Sequence, residues 1–163
     1  MKKIAFALLI LASLAAPVMS QASNREGKFQ AGGGFGLAFR SPVRFDINLN
    51  GEYFLTEHIS LGLNIDTLVR GPTTFVFQGF GRYNFDLDFA PGWVPYAGAG
   101  IGGGINTNSA GFLDIMIPDF GFKYELIDNK LFLGPDLSFH VLTNFSSTTW
   151  DFRMLFVQAD FRF

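Results

Sequence analysis

Cysteine is absent from the 163 residues. That absence excludes a disulfide framework, a thiolate metal site and a cysteine nucleophile. Charge is scarce as well, with Asp, Glu, Lys and Arg making up only 16% of the chain, where a soluble domain carries about a quarter. Neither a charge-coated globule nor a disordered tail fits so little charge. Long apolar runs are also missing. Beyond the N-terminus no stretch reaches the roughly 18 residues that a helix needs to cross a bilayer. The length suits a single domain. What the chain does have is 48% hydrophobic and 17% aromatic residues, with 21 Phe and 19 Gly, and these must be distributed in some pattern other than a spanning helix.

The N-terminus reads as an export signal, residues 1–22. Met1-Lys2-Lys3 is a positive n-region, Ile4 to Ala16 an apolar h-region and Ser20-Gln21-Ala22 a small-x-small cleavage site. Cleavage is placed after Ala22, with Ser20 the alternative; Pro17 breaks the short apolar run and argues against an uncleaved anchor. The domain then covers residues 23–163. Loss of Lys2 and Lys3 leaves 10 Lys and Arg against 14 Asp and Glu, a formal net charge of −4. Such a balance offers nothing to nucleic acid.

After the signal, the chain alternates with period two. In VRFDINLNGEYFL, residues 43–55, Val43, Phe45, Ile47, Leu49, Tyr53 and Leu55 alternate with Arg44, Asp46, Asn48, Asn50 and Glu52. One apolar and one polar face is the mark of a strand between two different media. Eight such strands are predicted, at 28–40, 43–55, 59–70, 74–85, 94–106, 111–125, 131–143 and 150–163. Gly71-Pro72, Pro91-Gly92 and Asp128-Asn129 supply turn chemistry between them. No helix is required after the signal.

The final strand places Leu155, Val157, Ala159, Phe161 and Phe163 at alternate positions and ends on an aromatic residue. This resembles the C-terminal signature of bacterial outer-membrane β-barrels. GFGRYNF at 79–85, PYAGAGIG at 95–102 and FGFKYEL at 120–126 resemble strand ends of the OmpA/OmpX-like eight-stranded barrel superfamily. The resemblance implies an all-β, eight-stranded antiparallel up-and-down transmembrane β-barrel in the cell outer membrane of a Gram-negative envelope. It also implies that residues 155–163 are read by the barrel-assembly machinery, and that the partners are outer-membrane lipids and lipopolysaccharide around a monomer. Length agrees: eight strands of about 9 to 11 residues leave some fifty residues for the tail and connections. An even strand number returns both termini to the periplasm. In this register Tyr53, Tyr83, Tyr96 and Tyr124, joined by Phe161, form a girdle at the periplasmic rim.

The polar face then points inward. It carries Arg40, Arg44, Arg70, Arg82, Lys123 and Arg162 against Asp46, Glu52, Asp66, Asp119, Asp136 and Asp160, with His140 beside them. An eight-stranded barrel is just wide enough for side chains to fill, so the expectation is a plugged lumen, with a narrow porin-like channel as the alternative.

Two segments bear on catalysis. Gly98, Gly100 and Gly103 fit G-x-G-x-x-G, but no helix follows to receive a pyrophosphate; backbone bending in a small barrel explains them better. The segment from Leu137 to Asn144 resembles the His-x-Ser-Asn element of outer-membrane lipid A deacylases, yet Leu142 stands where the nucleophilic Ser would be. No catalytic, cofactor or metal residue is therefore assigned, and the expected role is structural, maintaining the envelope. The predicted outer connections, near 41–42, 71–73, 107–110 and 144–149, are too short to favour dedicated surface binding.

Overall fold

The structure, a computed structural model, describes residues 25–87, 89–90, 92–107 and 109–163. The predicted signal, residues 1–22, lies outside the described residues. Eight strands follow in chain order: β1 Phe29–Phe39, β2 Arg44–Phe54, β3 Ile59–Val69, β4 Thr74–Asn84, β5 Trp93–Asn106, β6 Ser109–Ile127, β7 Leu131–Thr143 and β8 Thr148–Arg162. Each pairs antiparallel with its sequence neighbours, and β1 pairs with β8, so the sheet closes on itself. Closure leaves no strand edge with unpaired backbone groups, which is what lets a sheet sit in hydrocarbon.

Alternation decides what each face carries. On β3, Leu61, Leu63 and Ile65 point outward, while Ser60, Asp66 and Leu68 are buried inside. Leu63 is 69% exposed, Leu49 60%, Phe35 59% and Ile101 59%. A water-soluble fold would invert this distribution. The strands carry fourteen charged residues; thirteen are buried, and the other, Arg44, is half-buried. None of the fourteen faces outward.

Aromatic residues band both rims of the apolar belt. At the end that holds the chain termini, Tyr53 and Tyr83 are exposed, Tyr83 stacks on His58 with ring centres 5.6 Å apart, and Trp93 packs on Phe122 and Tyr124 at 5.0 and 5.1 Å. At the opposite end Phe39 meets Phe152 at 5.8 Å and Phe139 meets Trp150 at 5.3 Å. Paired aromatic girdles flank the apolar band of transmembrane barrels.

Two of the expected outward residues face the lumen, and a third is covered. Tyr96 faces the lumen and is 3% exposed, because it shares the inward parity of Val94 on β5. Tyr124 keeps its outward position opposite Trp93, but the indole covers it and it is 8% exposed. Leu155 is 5% exposed and faces inward. Its strand changes phase at a bulge: Phe35 pairs with Val157 while the next residue, Gly36, pairs with Leu155. The extra residue, Phe156, lets two consecutive side chains point outward and inverts everything before it. Val157, Phe161 and Phe163 are exposed as expected.

Turns follow local chemistry. Gly71 and Gly92 take φ of 75° and 86°, and Asn129 takes 53°, a left-handed region open to Gly and tolerated by Asn.

Candidate functional site

The lumen contains the only dense constellation of chemistry-bearing side chains among the described residues, and it forms two connected clusters. In the half nearer the termini, the Arg82 Nε donates to Asp119 at 2.6 Å and its Nη2 to Asp136 at 2.8 Å. The Tyr96 hydroxyl donates to the same Asp136 oxygen at 2.6 Å. The guanidinium lies between aromatic faces, 4.4 Å from the Phe80 ring centre and 4.3 Å from that of Tyr96, where the ring quadrupoles favour a cation. Lys123 Nζ bridges Glu52 at 2.6 Å and Asp160 at 3.3 Å. Ser60 also donates to Glu52. Gln30 joins Asp160 to Arg162, and Arg162 lies 4.0 Å above the Phe132 ring.

The second cluster centres on Arg153. It reaches Asp66 at 2.7 Å, Asp114 at 3.0 Å and Asp151 at 3.3 Å. The Asn48 amide donates to Asp66 at 2.7 Å. Neither Arg153, Asp114 nor Asp151 belonged to the predicted lumen set. Bulges explain the omission. On β6, Met116 pairs with His140 but Asp119 with Ser138, so three residues span what two span on β7. That shift at Ile117-Pro118 turns Asp114 inward along with Asp119, and the Phe156 bulge does the same for Asp151 and Arg153. Two adjacent outward-type residues, Ile117-Pro118 and Phe156-Val157, were the available sequence signal.

Two predicted lumen cations lie elsewhere. Arg70 is exposed beyond the end of β3, where its Nη1 donates to the Val43 carbonyl at 3.2 Å. Arg40 follows β1 at the mouth, beside Thr74 and Thr149. Both sit one residue past their strands, where alternation no longer sets direction. Arg44 is half-buried at the same rim and donates to Thr74 Oγ1 at 2.8 Å. On the strands, the expected balance of six against six therefore becomes nine buried carboxylates against four buried cations.

Glycines make room for this network. A Cβ at Gly98 would collide first with the Gly81 carbonyl oxygen and would stand 2.8 Å from Arg82 Cγ, so the bare β5 backbone lets β4 and the stem of Arg82 approach closely.

Ser138, His140 and Asp114 also form a linear array. His140 Nδ1 lies 2.9 Å from Asp114 Oδ1 and its Nε2 2.9 Å from Ser138 Oγ; a neutral ring that donates from Nδ1 to the carboxylate accepts at Nε2 from the hydroxyl. That order of partners is the one used to activate a serine nucleophile. Here the three residues are no more than 5% exposed, and the second Asp114 oxygen is engaged by Arg153. The void beside Ser138 measures about 10 Å³, space for about one water. No acyl group fits it, and Leu142 is likewise buried in the lumen.

A closed antiparallel barrel with an uncharged, aromatic-banded exterior and an ion-paired interior belongs to the class of small transmembrane β-barrels. Solved structures agree, and the fold is the OmpA/OmpX-like eight-stranded barrel. The N-terminal β-barrel domain of Pseudomonas aeruginosa OprF matches at 19% identity and TM-score 0.58, covering 85% of this chain and 98% of that one. Neisserial surface protein A matches at 12% identity and TM-score 0.66, covering 83% and 96%. A de novo designed transmembrane β-barrel matches at 13% identity and TM-score 0.54, covering 86% and 99%. No protein-family profile and no curated protein sequence matches the chain.

Proposed function

We propose that this chain is an integral outer-membrane β-barrel with a side-chain-plugged lumen, whose role is structural: it packs envelope lipids and lipopolysaccharide around a rigid cylinder. The observation that carries the reading is the inverted distribution of polarity, an exposed apolar belt around a buried, ion-paired core. In this reading residues 1–22 direct export, both termini lie in the periplasm, and residues 155–163 are what the assembly machinery recognises. Short connections leave little surface for a protein partner, which favours a monomer in lipid. The filled lumen supports neither a channel nor a hydrolase, and the Ser138–His140–Asp114 array acts as part of the plug.

The cysteine-free chain makes orientation directly testable. Ser146→Cys, in the exposed connection before β8, should react with a membrane-impermeant maleimide on intact cells. Asp128→Cys, in the exposed turn between β6 and β7, should react only after the outer membrane is opened. The reverse pattern, or recovery of the protein in the soluble fraction, would overturn the proposal.

A further inference from the structure

The two rims differ in charge. At the end away from the termini, the connections 40–43, 70–73, 107–108 and 144–147 contain Arg40 and Arg70 and no Asp or Glu, whereas 55–58, 85–92 and 128–130 at the other end contain Glu57, Asp86 and Asp128. Arg44 opens β2 beside Arg70, one position beyond the pair Phe45 and Val69. Arg44 donates to Thr74 and Arg70 to the Val43 carbonyl, but among the described residues no carboxylate pairs with Arg40, Arg44 or Arg70. The Arg44 Nε is buried without an acceptor. Deeper in the barrel, by contrast, Arg82 and Arg153 each face three carboxylates. A guanidinium keeps its proton in a protein, so the rim cations need an anion from outside the chain.

A cavity lies where they meet. About 160 Å³ of space in the mouth is lined by Arg40, Thr74, Ser147 and Thr149, with no carboxylate on its walls. That is room for about five waters, or for one tetrahedral oxyanion. The Arg44 guanidinium borders it too, since its Nη1 is 2.8 Å from Thr74 Oγ1. Carboxylates begin one layer deeper: Thr149 pairs with Leu142 and Asp151 with His140, and Asp151 and Asp114 are both held there by Arg153. Guanidinium forks match phosphate oxygens, and threonine hydroxyls can donate beside them.

On the outer face, a groove of about 480 Å³ runs up to the same rim, walled by Phe77, Ile105, Leu113 and Phe145 around the bare positions Gly103 and Gly111. Groove and mouth cavity share Phe112, Thr143 and Asn144. The β6–β7 pairing ends there, at Leu113 opposite Thr143, below the start of β6 at Ser109. An apolar channel on the lipid side thus adjoins a cationic pocket inside the mouth. We propose that the mouth binds a phosphate monoester group, held by Arg40 and Arg44 with Thr74 and Thr149, and that the groove takes the acyl chain where a lipid carries the group. That an outer-leaflet lipid supplies it rests on the orientation proposed above. Binding in detergent does not depend on that orientation, so the two can fail separately.

The test titrates the whole mature chain, refolded in a maltoside detergent and checked by its heat-modifiable migration, with dihexanoyl phosphatidic acid, inorganic phosphate or dihexanoyl phosphatidylcholine. Phosphorus NMR line-broadening reads binding. Phosphatidic acid should bind saturably, and Arg40→Gln and Arg44→Gln should each weaken it about tenfold, the scale of one hydrogen bond to a charged group. Lys28→Gln, at the opposite rim, should leave it unchanged. Should Arg44→Gln not refold, Arg40→Gln decides, since the Arg40 side chain bonds to no other described residue. Tighter binding of phosphatidic acid than of inorganic phosphate supports a lipid as the source, and equal binding supports free phosphate. Absence of saturable binding to both would overturn the proposal, as would an equal loss in Lys28→Gln. So would phosphatidylcholine binding as tightly as phosphatidic acid, which would leave only the apolar groove.

Discussion

Replacing Arg153 with Met tests whether the ionic core holds the barrel together or merely fills it. Methionine approximates the volume of the arginine stem and adapts to irregular gaps, so the substitution removes charge with little loss of packing. The guanidinium is 2% exposed and spans Asp66, Asp114 and Asp151 at 2.7 to 3.3 Å. Removing one partner of a buried pair costs about 3–5 kcal/mol, because the remaining charge is left uncompensated. With three carboxylates stranded, the expected cost is in the upper part of that range. Urea unfolding of the refolded barrel, followed by the fluorescence of Trp93 and Trp150, reads it. Adding Asp66→Asn and Asp114→Asn to Arg153→Met should recover more than half of the loss, since neutral amides in place of the charges remove the penalty. A cost for Arg153→Met below about 1 kcal/mol, the scale of a solvent-exposed pair, would refute the reasoning. So would a triple variant less stable than the single one.

Other consequences follow from the two faces. Leu63, 69% exposed near the middle of β3, is the place to measure the lipid belt: Leu63→Arg should cost about 2–4 kcal/mol for refolding into lipid vesicles. Leu61, opposite Tyr53 near the rim, should cost less for the same change, and equal costs would contradict an apolar belt of this depth. Gly98→Val should push β5 away from the Gly81 carbonyl, displace Arg82 and lower stability by at least about 1–3 kcal/mol, the scale of overpacking. Gly79→Val, where a Cβ meets only the Ile101 carbonyl at 4.0 Å, should be close to neutral.

How much was legible before the structure depends on where alternation is unbroken. On β2 and β3 every inward and outward residue follows from period two, because neither strand bulges against the other. The eight strands and their antiparallel order follow from the same signal. Phase is what the alternation could not carry across a bulge: Asp114, Asp151, Arg153 and Leu155 all lie beyond Ile117-Pro118 or Phe156-Val157, and each was placed on the wrong face or left out. Tyr96 failed for another reason. A tyrosine near a strand end suits the headgroup region, but its ring equally suits a lumen where Asp136 takes the hydroxyl and Arg82 the face. Here parity, set by Val94, was the better guide than residue type. The Ser138–His140–Asp114 array was invisible in sequence because Asp114 joins it from a different strand, across the β6 bulge.

The central claim is that the barrel is sealed. Planar-bilayer recording of the refolded mature chain tests it most directly, since the claim rests on a cavity of about 10 Å³ beside Ser138 and on ion pairs that cross both halves of the lumen. The account predicts a silent bilayer after verified insertion of the heat-modifiable folded form. Stable unitary conductance steps from that form, altered by Arg153→Met or Arg82→Met, would contradict it and make the lumen a pore.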